Sequence, residues 1–186
     1  MNFTNNYHIK IFDDFYSAYG QQIDKLWLEL KDVVIDVYDK DSARLKDYII
    51  NRDVFGDMSG EINSPFQCYP KFQYYNQTFN DIIMRGDLCN TAHLTQQEQF
   101  ALIAHEIGHF VSKYKNTGLN GQADEFYADD RTVELGLRCE LASALQKCMA
   151  VIPQPNISDP FLQMIQKQQN SVKNMADMLQ ERIDRL

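Results

Sequence analysis

No run of about 18 apolar residues occurs anywhere in the chain, and the opening MNFTNNYHIKIFDDFYSAYG lacks a basic start followed by an apolar stretch. The sequence therefore predicts neither a membrane span nor an export signal, and a cytoplasmic location is the expectation. Basic residues are also short: 18 Lys and Arg stand against 26 Asp and Glu, giving a formal charge of -8, and they do not cluster with aromatics. That balance repels phosphate backbones and anionic headgroups, so direct nucleic-acid or membrane binding is not expected. The cysteines Cys68, Cys89, Cys139 and Cys148 form no CxxC pair, a spacing that suits neither a zinc knuckle nor a redox dithiol and reads as reduced, mostly buried thiols.

What is present fits a folded globular protein. Of 186 residues, 44% are hydrophobic and 24% charged, enough apolar surface for one core without disulfides or a structural metal. The expected organisation is one domain over 1–152, followed over 153–186 by a connector bearing Pro153, Pro155 and Pro160 and a C-terminal helix. Apolar residues from Phe161 to Leu186 mark one face of that helix, which packs back on the body or meets a partner or second copy.

Hydrophobic period and punctuation divide the body further. Ile23, Leu26, Trp27, Leu30, Val33, Val34 and Val37 fall at helical spacing, predicting a helix from Gly20 to about Asp39, with a shorter one from Ser42 to Arg52. Between Gly56 and Ala92, glycines, prolines and the runs Phe72 to Tyr75 and Phe79 to Met84 predict a small antiparallel sheet. Thr95 followed by Glu98 is a capping box, so a helix is expected over about Gln96 to Lys113. After a break at Asn116 to Gly121, a further helix is expected from about Gln122 to Ala150. The class predicted is α+β.

The segment that carries chemistry is His105, Glu106, Ile107, Gly108, His109, an HExxH inside the capped helix. Residues four apart are separated by about 6 Å along a helix axis and lie within roughly 40° around it, so both imidazoles reach one ion. Zn2+ is the expected cofactor, because a catalytic zinc takes imidazole nitrogens and needs three protein ligands with a position left for water. Glu106, about 100° around the helix from His105, leans toward that water and is the expected general base. Gly108 weakens a helix by up to about 1 kcal/mol relative to Ala, so its presence predicts a close approach by a strand edge or neighbouring helix.

A third ligand must lie elsewhere. Ser112 and Lys115 occupy the positions where a metzincin has Gly and His, which excludes that subclass. Downstream, Glu125 and Asp129 share a helical face. Glu125 is positioned to close the zinc site, and Asp129 to hold the free ring nitrogen of a ligating histidine. Asp124, Asp129 and Glu134 are the alternative ligands. His93 is expected to be structural, Tyr74, Tyr114 and Tyr127 are candidate oxyanion donors, and Asn80 to Leu88 is either an edge strand for an extended peptide or an interior strand.

HEIGH followed by Glu125, Ala128 and Asp129 resembles the gluzincin pattern, HExxH plus ExxAD, over roughly positions 95 to 135. The order of helices, small sheet, motif helix and ligand helix resembles the ImmA/IrrE-type peptidases and other minimal soluble gluzincins. The residues after Ala128 resemble the HtpX-type wording, although those enzymes are membrane-embedded. The resemblance implies a gluzincin-like fold, zinc held by His105, His109 and Glu125, Glu106 as catalytic base, Asp129 supporting a ligand, and hydrolysis of a peptide or protein substrate. The alternatives are a zinc-binding regulatory or interaction protein without turnover and an ImmA/IrrE-like regulator that cleaves one partner.

Overall fold

The computed structural model describes residues 1–39, 65–74, 77–86, 88–151 and 177–186. Strand β1 (Asn2–Thr4) is followed by helix α1 (Lys10–Leu26), a 3-10 turn at Leu28–Leu30 and β2 (Val34–Asp39). Next come β3 (Phe66–Tyr69), β4 (Phe72–Tyr74), β5 (Gln77–Phe79) and β6 (Asp81–Arg85), then a single turn, α2 (Leu88–Thr91). Helices α3 (Gln96–Tyr114), α4 (Gly121–Glu134) and α5 (Arg138–Val151) follow, and a last helix, α6, spans 177–185. The class is α+β, as expected, and among the described residues no helix is long and apolar enough to cross a membrane.

The sheet corrects the antiparallel expectation. Its order is β1-β2-β6-β3; β1 and β6 run parallel to β2, and β3 pairs antiparallel with β6, while β4 and β5 form a separate antiparallel pair. Local alternation cannot distinguish these directions, because the parallel partners are brought together by long crossovers rather than by a hairpin. The segment Asn80 to Leu88 is also corrected as an edge candidate. Its strand, β6, is interior, with Asp81, Ile82, Ile83 and Met84 all buried, as expected of a strand covered on both faces.

The helix expected over Gly20 to Asp39 is replaced by three elements. Helix α1 begins earlier and buries Phe12, Phe15 and Ile23; residues 34–39 are strand. Val33, Ile35 and Val37 point inward while Val34 and Asp36 do not, a period of two that β-branched side chains favour. The Ser42 to Arg52 helix and Pro153, Pro155 and Pro160 lie outside the described residues.

Helix α3 sits at the centre. Phe100, Leu102, Ile103, Ile107, Phe110 and Val111 are buried on all its sides, the pattern of a helix enclosed by its neighbours. Its start is the expected capping box: Thr95 Oγ1 accepts from Glu98 N at 3.3 Å, and Thr95 N donates to Glu98 Oε2 at 2.7 Å.

The single helix expected from Gln122 to Ala150 is two helices. Gly136, at φ +82°, ends α4, with Leu137 N donating to Thr132 O at 3.3 Å and Gly136 N to Val133 O at 2.9 Å. This is a Schellman cap, whose left-handed residue glycine adopts without steric penalty. The chain then turns, and α5 packs against α3, where Ser143 and Lys147 both reach Glu98, at 2.6 and 2.7 Å.

Candidate metal centre

Helix α3 presents His105 and His109 toward α4. Their Nε2 atoms lie 3.1 Å apart, and Glu125 on α4 completes a triangle, with Oε2 3.3 Å from His105 Nε2 and Oε1 3.6 Å from His109 Nε2. Two helices approach this closely because position 108 has no side chain. A Cβ there would stand 2.8 Å from Ala128 Cα and 3.0 Å from its carbonyl oxygen. The close neighbour expected of Gly108 is thus a helix, not a strand edge.

Each imidazole is oriented from behind. His105 Nδ1 lies 2.9 Å from Asp129 Oδ1, and His109 Nδ1 lies 2.7 Å from Asp124 Oδ2. These carboxylates favour a proton on Nδ1 of each ring, so that both Nε2 atoms would be free to bind one ion. Asp129 occupies the place expected of it, and Asp124, an alternative third ligand, sits behind a ring instead. Glu134, the other downstream alternative, points elsewhere and accepts from Trp27 Nε1 at 3.1 Å.

The spacing is close to that of a tetrahedral zinc site. Bonds of about 2.0 to 2.2 Å at tetrahedral angles place ligand atoms about 3.3 to 3.6 Å apart; here the two Nε2 atoms are 3.1 Å apart, and each faces a different oxygen of Glu125, at 3.3 and 3.6 Å, all three residues offering an atom within 4.8 Å of the others. Without an ion, a proton on His105 and the Arg182 guanidinium hold these groups together; a bound cation would take the place of that proton. The donor set, two imidazoles and one carboxylate, fits zinc.

Charges at the centre reflect the same crowding. Burial and the Arg182 guanidinium act to lower the pKa of His105, but hydrogen bonds to Asp129 and Glu125 outweigh them, and it is pushed up to about 9. For Glu125, burial acts upward, yet the two histidines and Arg182 hold its carboxyl down at about 2. Asp129 is lowered for similar reasons. Glu106 differs: burial raises its pKa despite the pull of both imidazoles.

Glu106 faces a cavity of about 700 Å³ between α3, α4, α6 and β3. The Cys68 thiol, the Glu106 carboxylate and a His109 ring nitrogen lie within 4.8 Å of one another. Apolar side chains, among them Leu102, Phe110, Leu119, Leu145 and Leu179, line the remainder. Strand β3, paired antiparallel with β6, carries Cys68 into this cavity.

Other candidates fall away from the centre. The Tyr114 hydroxyl donates to buried Asp81, where Lys113 Nζ also binds at 2.8 Å, so Tyr114 is not an oxyanion donor. Tyr127 lies beneath Arg131, and His93 is exposed in the turn before α3 with φ +50°. The side chain of Tyr74 is outside the described residues.

The residue that sequence reasoning missed is Arg182 on α6. It is 7% exposed and donates from Nε and Nη2 to the two oxygens of Asp129, at 2.9 and 2.7 Å, and from Nη1 to Glu125 Oε2 at 2.7 Å. A basic residue 53 positions beyond Asp129 gives no local signal. Leu179, Ile183 and Leu186 flank it and pack against the core, so the described end of the C-terminal segment folds back on the body.

Comparison with protein-family models, with curated proteins and with solved structures gives no match for this chain.

Proposed function

We propose that this chain is a zinc-dependent metallopeptidase of gluzincin type, hydrolysing peptide bonds in a peptide or protein substrate. One observation carries the reading: His105, His109 and Glu125 each offer a ligand atom within 4.8 Å of the others, beside a carboxylate, Glu106, that opens into a sizeable cavity. A structural zinc site usually closes its fourth position with another protein ligand and has no use for a base.

Bound zinc supplies Lewis acidity toward a carbonyl oxygen and makes a water easier to deprotonate. The chain's own groups do the rest. His105, His109 and Glu125 hold the ion, while Asp129 and Asp124 fix the ring tautomers through Nδ1. Glu106 takes a proton from the attacking water and hands it to the leaving amine, and its burial-raised pKa favours that return.

The test is metal analysis and cleavage of a peptide library by wild type, Glu106→Gln and Glu125→Ala. Wild type should hold one zinc and cleave. Glu106→Gln should keep zinc and lose cleavage by about 10²- to 10⁴-fold, and Glu125→Ala should lose the metal. Wild type without zinc, or Glu106→Gln with full cleavage, overturns the proposal.

A further inference from the structure

Arg182 meets the centre in a way that no ligand count requires. Asp129 is fully engaged: Oδ2 accepts from Arg182 Nε at 2.9 Å, and Oδ1 accepts from Arg182 Nη2 at 2.7 Å while lying 2.9 Å from His105 Nδ1. The third arm of the guanidinium fixes Glu125 through Oε2 and leaves Oε1 turned toward His109 Nε2. A planar fork with five donors is the side chain able to join two carboxylates in fixed relation.

The guanidinium also lies against two of the proposed ligands. Nη2 is nearly equidistant from His105 Nδ1 and Nε2, at 3.2 and 3.3 Å, which sets it over the ring face, and Nη1 binds only Oε2 of Glu125, while Oε1 stays 3.6 Å from His109 Nε2. The arginine thus fixes one oxygen of Glu125 and leaves the other facing His109.

The rest of α6 is arranged to hold that arm. Arg185 pairs with Asp130 at 2.8 Å and donates to the Phe126 carbonyl at 3.0 Å. Gln122 donates to Glu181, and Arg138 donates to the Leu186 carbonyl at 2.9 Å. These exposed ties surround one desolvated arginine, so the C-terminal helix closes a wall of the centre.

We propose that Arg182 is a positioning residue of the metal centre, its guanidinium locking Glu125 and Asp129 into ligand geometry and making helix 177–185 part of the metal site. The inference rests on the metallopeptidase reading, since it concerns the same ion. It makes metal loading and docking of α6 mutually supporting, because each orders the carboxylates that the other uses.

Cobalt titration of the full chain, followed by visible absorption, separates the two claims. Wild type should take up one Co2+ with a four-coordinate spectrum; failure there overturns the metal centre whatever Arg182 does. With wild type loading, Arg182→Ala should bind cobalt about 10- to 100-fold more weakly, with an altered spectrum. Arg182→Lys should also bind several-fold more weakly, because an ammonium has no fork. This variant decides the matter if Arg182→Ala does not fold. Unchanged affinity in either variant overturns the role, and tighter affinity makes Arg182 a competitor of the ion. Hydrogen exchange gives a second readout: metal should slow exchange of the 177–185 amides in wild type, and unchanged or faster exchange overturns the coupling.

Discussion

Gly108 of α3 and Ala128 of α4 touch backbone to backbone, and a Cβ at 108 would lie 2.8 Å from Ala128 Cα. The neighbour is main chain, so it has no rotamer through which to give way. Gly108→Ala should destabilise the protein by about 1 to 3 kcal/mol despite Ala's better helix propensity. It should also weaken metal binding, because parting the helices widens the distance from His105 and His109 to Glu125. A lowered midpoint in urea together with weaker cobalt binding checks both; a stabilised variant would refute the contact.

Asp124 and Asp129 do the same work behind different rings but differ in exposure. The Asp129 side chain is 1% exposed and Asp124 24%. Asp124→Asn should lower metal affinity about 10- to 100-fold with little loss of stability. Asp129→Asn should lower affinity similarly and also destabilise the fold, since Arg182 then loses a charged partner in a buried site. Metal titration and thermal melts of the ion-free variants read the two effects separately. Complete loss of binding in Asp124→Asn, with Glu125→Ala still loading, would make Asp124 the ligand.

Acid should act on the N-terminal end of α3, where Glu98 lies. Burial disfavours the Glu98 carboxylate, but Lys147, Ser143 and the Thr95 amide outweigh it and hold its pKa at about 2. A carboxyl lowered on folding contributes stability that is complete above its unfolded value near 4.5 and is lost as pH falls toward 2. Wild type should therefore exceed Glu98→Gln in melting temperature at pH 6, with the gap closing from about pH 5 down to about pH 2. A gap independent of pH would sink this assignment.

Lys147→Met tests the partner. It should raise the Glu98 pKa and move the acid limb of the wild-type stability profile to higher pH. An unmoved limb would assign it to other carboxylates.

Most of the centre was legible because its signals are local. Thr95 and Glu98 fix where α3 begins, HExxH fixes two imidazoles one turn apart, and Glu125 and Asp129 share a face at the next helix start. The tie from Asp124 to His109 was harder to read, because whether a carboxylate reaches a metal or the back of a ring depends on how two helices cross. Arg182 was illegible, since its partners lie more than 50 residues away and its helix reads as an apolar stripe. In the fold, Val33 to Val37 satisfied a helical template as well as a strand one, and pairing with β1 and β6 decided the matter. Gly136 was the overlooked punctuation within a continuous apolar pattern.

The bend at Gly136 ties together two distant parts of the molecule. Past it, Ser143 and Lys147 fasten the N-terminal end of α3, while Leu145 and Cys148 line the cavity beside Glu106. One residue inserted at this short joint would displace the start of α5, loosening the capped end and reshaping the cavity in a single stroke. Length at this short joint is thus fixed more strictly than side-chain identity along most of α5, and homologous chains should keep its spacing even where their surfaces diverge.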